Sequence, residues 1–167
     1  MAQNIPARLE ERVQFAAWRR PAPDSGRYQV TDPTLDGDEI PDWTLHQARR
    51  IRTPGTAPLV RSTWVRRPGT SDPLLLVDLH VADSAEAARP LALRVLGDFQ
   101  TPHVARRTDT AIGEVAFGDN SPYWIVFLRG NLVVSVRNGG RELTSVLDAA
   151  AALDAALTRM AQPGTKD

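Results

Sequence analysis

The sequence predicts an α+β domain in which a single twisted antiparallel sheet of five to six strands packs against two to three helices. Three observations carry this. Leu74 to Ala82 alternates, with Leu75, Val77, Leu79 and Val81 on one side and Leu76, Asp78 and His80 on the other, the period of a strand. The stretch from Ile112 to Ala161 reads as strand, turn, strand, helix. The 167-residue chain is 42% apolar and 24% charged, enough apolar material for one buried core.

Residues 6–18 read as a first helix. Asn4 can cap it, Pro6 suits a first turn, and Leu9, Val13 and Ala16 or Ala17 form its apolar stripe. Pro21 and Pro23 stop it. Residues 21–42 hold four prolines and six acidic side chains and read as a surface loop or linker. Three strands follow, over Trp43–Arg52, Leu59–Arg67 and Leu74–Ala82, separated by turns at Pro54-Gly55 and Pro68-Gly69. Connections this short make an antiparallel meander, because a parallel crossover needs a dozen residues or more. In the first strand Trp43, Leu45, Gln47, Arg49 and Ile51 fall on one side, an imperfect alternation. A helix comes next, capped by Asp83 or Ser84 and stopped at Gly97. Pro90 inside it predicts either a kink or a start near Arg89.

Residues 100–111 are polar and irregular. Gly113–Phe117 is a short strand leading into the hairpin, where Arg129-Gly130-Asn131 reverses the chain between two apolar runs. Gly and Asn both tolerate positive φ, which suits a tight turn. Val146, Ala150, Leu153, Leu157 and Met160 then recur at helical spacing. The division is therefore an N-terminal helix over 1–20, an acidic proline-rich loop over 21–42, an α+β core over 43–162 and a disordered tail over 163–167. In this βββα-βββα-like order, with Val126–Val136 around the hairpin turn, the chain resembles the Mog1/PsbP type of α+β domain and small bacterial sensor or lipoprotein domains that end in a hairpin and helix. The resemblance implies a fold and no site residue.

Composition excludes several functions. There is no cysteine, hence no disulfide, thiolate nucleophile or Cys-held metal. The formal net charge is zero, so no overall field draws the chain to nucleic acid or membrane. No apolar run reaches membrane-spanning length, and the start carries no signal peptide, so the default compartment is cytoplasmic, a trimmed exported form being the alternative. No motif for a cofactor is present. All basic residues but Lys166 are arginine, which fits a GC-rich coding sequence and also suits binding of carboxylates or phosphates.

Three constellations remain. Asp78 and His80 project from one strand face, two residues apart, where a carboxylate can orient an imidazole as a general base; two solvated side chains would show the same spacing. Asp32, Asp36, Asp38, Glu39 and Asp42 surround Gly37, but the match to a calcium loop fails at its last position, Trp43, so no metal is expected. Arg49, Arg50, Arg52, Arg61, Arg66 and Arg67, with Trp64 among them, run without an intervening acidic residue. They predict a basic sheet face for a protein partner or an anionic ligand, or else arginines that blunt strand edges and pair with the acidic loop. Trp18 and Trp43 are expected half-exposed, Trp124 in the core. The expectation is a non-catalytic binding or protein-interaction module using that basic face; the alternative is a small enzyme with Asp78 and His80 as its general base pair. A third is an assembly role through exposed strand edges.

Overall fold

The computed structural model describes residues 7–66 and 72–161. Asn4, Pro6, Arg67, the Pro68-Gly69 turn and the 163–167 tail lie outside them. Seven strands form one antiparallel sheet: β1 (Thr44–Ile51), β2 (Leu59–Val65), β3 (Leu74–Val81), β4 (Ala105–Arg107), β5 (Val115–Gly118), β6 (Trp124–Arg129) and β7 (Leu132–Asn138). Their order is β1-β2-β3-β7-β6-β5-β4. Two meanders, one from each half of the chain, therefore meet at the central β3·β7 pair. Helix α3 (Ala85–Asp98) carries the chain from the centre to the far edge, and α4 (Leu147–Met160) ends the fold.

The sheet has more strands than the sequence predicts. The addition is β4, whose Ala-Arg-Arg has no alternation to read and pairs with β5 through Ala105↔Gly118 and Arg107↔Ala116. The imperfect alternation of β1 has a physical source. The register slips between Leu45, opposite Trp64, and Gln47, opposite Thr63. His46 is the extra residue of a β-bulge, which turns Leu45 to one face and Gln47, Arg49 and Ile51 to the other.

Both sheet faces are covered, by different means. On the first face α4 packs Val146, Ala150, Leu153 and Leu157 against Ile125, Phe127, Val134 and Val136. The 21–42 segment completes that side. It is no linker: Val30, Leu35 and Ile40 are buried in the same cluster, as is Trp43 just after it. Glu39 holds its shape by accepting hydrogen bonds from the Asp36 and Gly37 amides. On the second face α3 lays Leu91, Val95 and Leu96 over Phe117, Val126, Leu128 and Val133.

The first helix is broken in two, α1 (Ala7–Arg12) and α2 (Phe15–Trp18), because Gln14 adopts a left-handed conformation at φ 55°. The break shifts the helical phase. Leu9, Val13 and Trp18 are buried, while Ala16 and Ala17 are exposed. Trp18 donates its indole N–H to the Val13 carbonyl at 2.7 Å and lies 4.8 Å from the Phe117 ring. Trp18 and Trp43 are thus core residues, against the half-exposed expectation, and Trp124 is partly buried, stacked on Phe99.

Helix α3 starts at Ala85, with the Ser84 hydroxyl accepting from the Ala87 amide. Pro90 neither delays nor divides it. Pro90 is exposed, as is Glu86, whose carbonyl loses its helical donor and can turn to water. Gly97 is not the stop. The left-handed residue is Gln100, φ 49°, and Gly97 is instead where Leu9 of α1 approaches, its Cδ2 3.8 Å from where a Cβ would stand.

The hairpin turn is the hub of the tertiary structure. Gly130 takes φ 55° while Asn131 does not enter the left-handed region, the pattern of a type II′ turn. Asn131 has a different task. Its Oδ1 accepts from the Val30 amide, and its Nδ2 donates to the carbonyls of Val30 and Ala82, each at 2.8 Å. Beside it Glu114 accepts from the Gly130 amide, the Ser25 hydroxyl and the buried Arg89 guanidinium. Asp154 of α4 accepts two hydrogen bonds from Arg129 and one from the Gly113 amide. The turn thereby joins both meanders, both long helices and the 21–42 segment.

Candidate functional site

Cross-strand neighbours share a face, so the registers define what lies under α3. One row runs Arg49, Arg61, Asp78, Ser135, Val126 across β1, β2, β3, β7 and β6. The next runs Gln47, Thr63, Leu76, Arg137, Trp124, and the one on the other side Ile51, Leu59, His80, Val133, Leu128. Polar side chains occupy the β1–β3 half and give way to apolar ones at β6, where the helix packs. A groove follows the open flank of α3. Near the helix start, between Asp83, Ala87 and the 55–58 turn, it holds a cavity of about 290 Å³. Further on, between Ile51, Leu59, His80 and Arg94, lies one of about 310 Å³. At the helix end, over Arg61, Asp78, Ser135 and Arg137, lies a third of about 280 Å³. Neighbouring cavities share lining residues: Leu91 and Arg94 in the first two, His80, Val95 and Asp98 in the last two.

The floor of the third cavity is electrostatically specific. Arg61 donates to Asp78 through both Nε and Nη2, at 2.8 and 2.9 Å. The fork geometry raises the Arg61 pKa, the hydrogen bond first and charge second. Burial lowers the His80 pKa, with Asp78 opposing, so the imidazole is neutral at neutral pH. Asp78 and His80 share one sheet face, the reading their spacing gives, and both line this cavity. Both Asp78 oxygens, however, serve Arg61, and that pair is not a carboxylate orienting an imidazole. Beside them Thr63 Oγ1 and Arg137 Nε are buried with no hydrogen-bond partner, and the Ser135 hydroxyl is in the same floor.

The arginine-rich stretch does not make one face. Arg49 and Arg61 share the α3 side. Arg50 points to the other side, where it pairs with Asp32 and donates to Thr34, as arginines answering the acidic loop would. Arg66 stacks over Trp43, 4.8 Å from its centroid. Arg52 follows the end of β1 and is exposed. Trp64 is wholly buried, its indole N–H donating to Ser62 Oγ at 3.0 Å, and offers no surface to a ligand. The alternation that places Arg61 on one side necessarily sends its neighbours to the other.

Sequence reading missed Ser135, Arg137, Arg94, Asp98 and Phe99. One signal was present: Ser135 interrupts the apolar run Leu132–Val136, and Arg137 follows it at strand period. Among the described residues no three His, Asp or Glu side chains gather as a metal site, and no helix is long and apolar enough to cross a membrane. The chain matches no protein-family model, no curated protein and no solved structure.

Proposed function

We propose that the protein is a non-catalytic binding module that receives an extended ligand, a segment of a protein partner or a small linear molecule, in the groove between α3 and β1–β3. One observation carries this reading: a sheet buried over apolar rows elsewhere leaves a continuous polar groove at this flank. From Ala87 to Asp98 the groove follows about 16 Å of helix, the length of about five residues of extended chain. Its polar groups are spaced along it and few of them are mutually satisfied, which suits recognition of a ligand's own polar groups.

The test is a titration of the labelled protein with acidic, basic and neutral pentapeptides, followed by amide NMR shifts. The reading expects shifts confined to α3, β2, β3 and the 52–58 turn. Shifts centred on α4, or none with any peptide, overturn it.

The enzyme alternative draws support from the neutral His80 imidazole lining two cavities. Against it stands the engagement of Asp78 by Arg61, which leaves the imidazole without its carboxylate. The Mog1/PsbP resemblance rests on element order and contributes no site residue to either reading.

A further inference from the structure

Within the proposed groove, the end beneath Phe99 differs from the rest. Two donor groups line the sheet floor there, the Ser135 hydroxyl, 3% exposed as a residue, and the Arg137 guanidinium. Thr63 and Arg137 stand on either side of Leu76 in one cross-strand row. Ser135 is Arg137's next neighbour on the same face of β7. Thr63 Oγ1 and Arg137 Nε are buried without a partner. A buried polar atom left unpaired costs on the order of 1–3 kcal/mol, and Arg137 Nε, next to the Ser135 hydroxyl in the lining of the cavity, marks a place where an acceptor is supplied from outside the chain.

Charge decides which acceptors. Arg61 and Asp78 neutralise each other through their fork. His80 is uncharged. Arg137 has no carboxylate partner among the described residues, and its ring neighbours, Phe99 stacked on Trp124 at 4.6 Å, bring no charge. Asp98 is the one opposing group, an exposed carboxylate on the cavity rim, with Arg94 one helical turn before it. The floor is therefore rich in donors and carries one uncompensated cation.

We infer that this end of the groove is an oxyanion subsite, in which a carboxylate or phosphate group of the ligand accepts hydrogen bonds from Arg137 and Ser135. The inference rests on the groove reading and names the chemistry that anchors the ligand there. An oxygen pair suits the planar guanidinium better than a single acceptor does. Asp98 opposes the anion from the rim, which limits affinity for a bare ion and favours a ligand whose remaining length fills the groove.

The experiment uses the full chain with acetate, inorganic phosphate and, as a cation of similar size, methylammonium, at constant ionic strength. The readouts are the Arg137 Nε–H signal and the Ser135 amide in ¹H–¹⁵N spectra. Acetate and phosphate should move both, saturating with Kd in the millimolar range; the larger response tells carboxylate from phosphate. Methylammonium should move neither. Asp98→Asn should tighten anion binding severalfold, because it removes a like charge from the rim, while Arg137→Gln should abolish saturation with the fold intact by amide spectrum. Absence of any anion response, or a response unchanged in Arg137→Gln, or weakened by Asp98→Asn, overturns the inference. Peptides that shift the groove while simple anions leave Arg137 unmoved refute the subsite and spare the groove; silence from both refutes both.

Discussion

Replacing Asn131 by alanine separates two accounts of the hairpin. If Asn131 were there for turn geometry alone, its loss would matter little, because its backbone is outside the left-handed region and alanine tolerates that conformation. The structure instead assigns it three hydrogen bonds of 2.8 Å in a residue 1% exposed. Each is worth about 1 kcal/mol net, and the Val30 amide and two carbonyls left behind in a dry site add further desolvation, for a total loss of about 3–5 kcal/mol. Domains of this kind hold about 5–15 kcal/mol in all, so the change is large. Urea unfolding followed by fluorescence of the buried Trp18, Trp43 and Trp64 measures it, with the denaturant slope expected unchanged. Hydrogen exchange at the Val30 amide should lose its protection as well. Asn131→Gly should behave like Asn131→Ala. A loss under about 1 kcal/mol for either would show that the bonds to Val30 and Ala82 contribute no more than solvent does, and the hub reading of the turn would fall.

Other outcomes follow from the same coordinates. Gly130→Ala should be among the most damaging single changes, since a Cβ there would stand 1.8 Å from the Tyr28 carbonyl oxygen at φ 55°; a thermal midpoint within a few degrees of the parent counts against that contact. Glu114→Ala should cost about 3–5 kcal/mol by leaving the Arg89 cation buried and unpaired, and the double change with Arg89→Met should recover part of the loss in a double-mutant cycle. His80 has its pKa lowered on folding, chiefly by burial. The unfolded chain therefore takes up the proton more readily, and His80 lowers stability as pH falls below the ordinary histidine value near 6.5. His80→Gln should flatten the pH dependence of the urea midpoint between neutral and mildly acidic solution, and an unaltered slope would remove His80 as its source.

Much of the architecture was legible because it rests on local regularities. β3 alternates cleanly, α4 repeats at helical spacing and Gly130 supplies the positive φ that a two-residue hairpin turn requires. What was misread is instructive by residue. β4 was invisible because three residues carry no period. Gln14 breaks the first helix although nothing in its type demands a left-handed backbone; burial of Leu9, Val13 and Trp18 against α3 and Phe117 selects it. The 21–42 segment looked solvated by composition, yet Val30, Leu35 and Ile40, each too isolated to form a pattern, are buried against one side of the core.

The candidate site divides the same way. Strand period placed Asp78 and His80 on one face before any fold was known, and it also guaranteed that a run of arginines would be split between two faces. Which face became a groove was beyond it. That depended on a bulge at His46, on where α3 crosses the sheet, and on β7 arriving beside β3 from the far end of the chain. Local chemistry sets the twist, the turns and the inside-outside order of each strand, because those energies act between near neighbours. The meeting of Arg137 and Ser135 with Arg61 and Asp78 is a product of long-range pairing, and only the assembled sheet brings those groups to one floor.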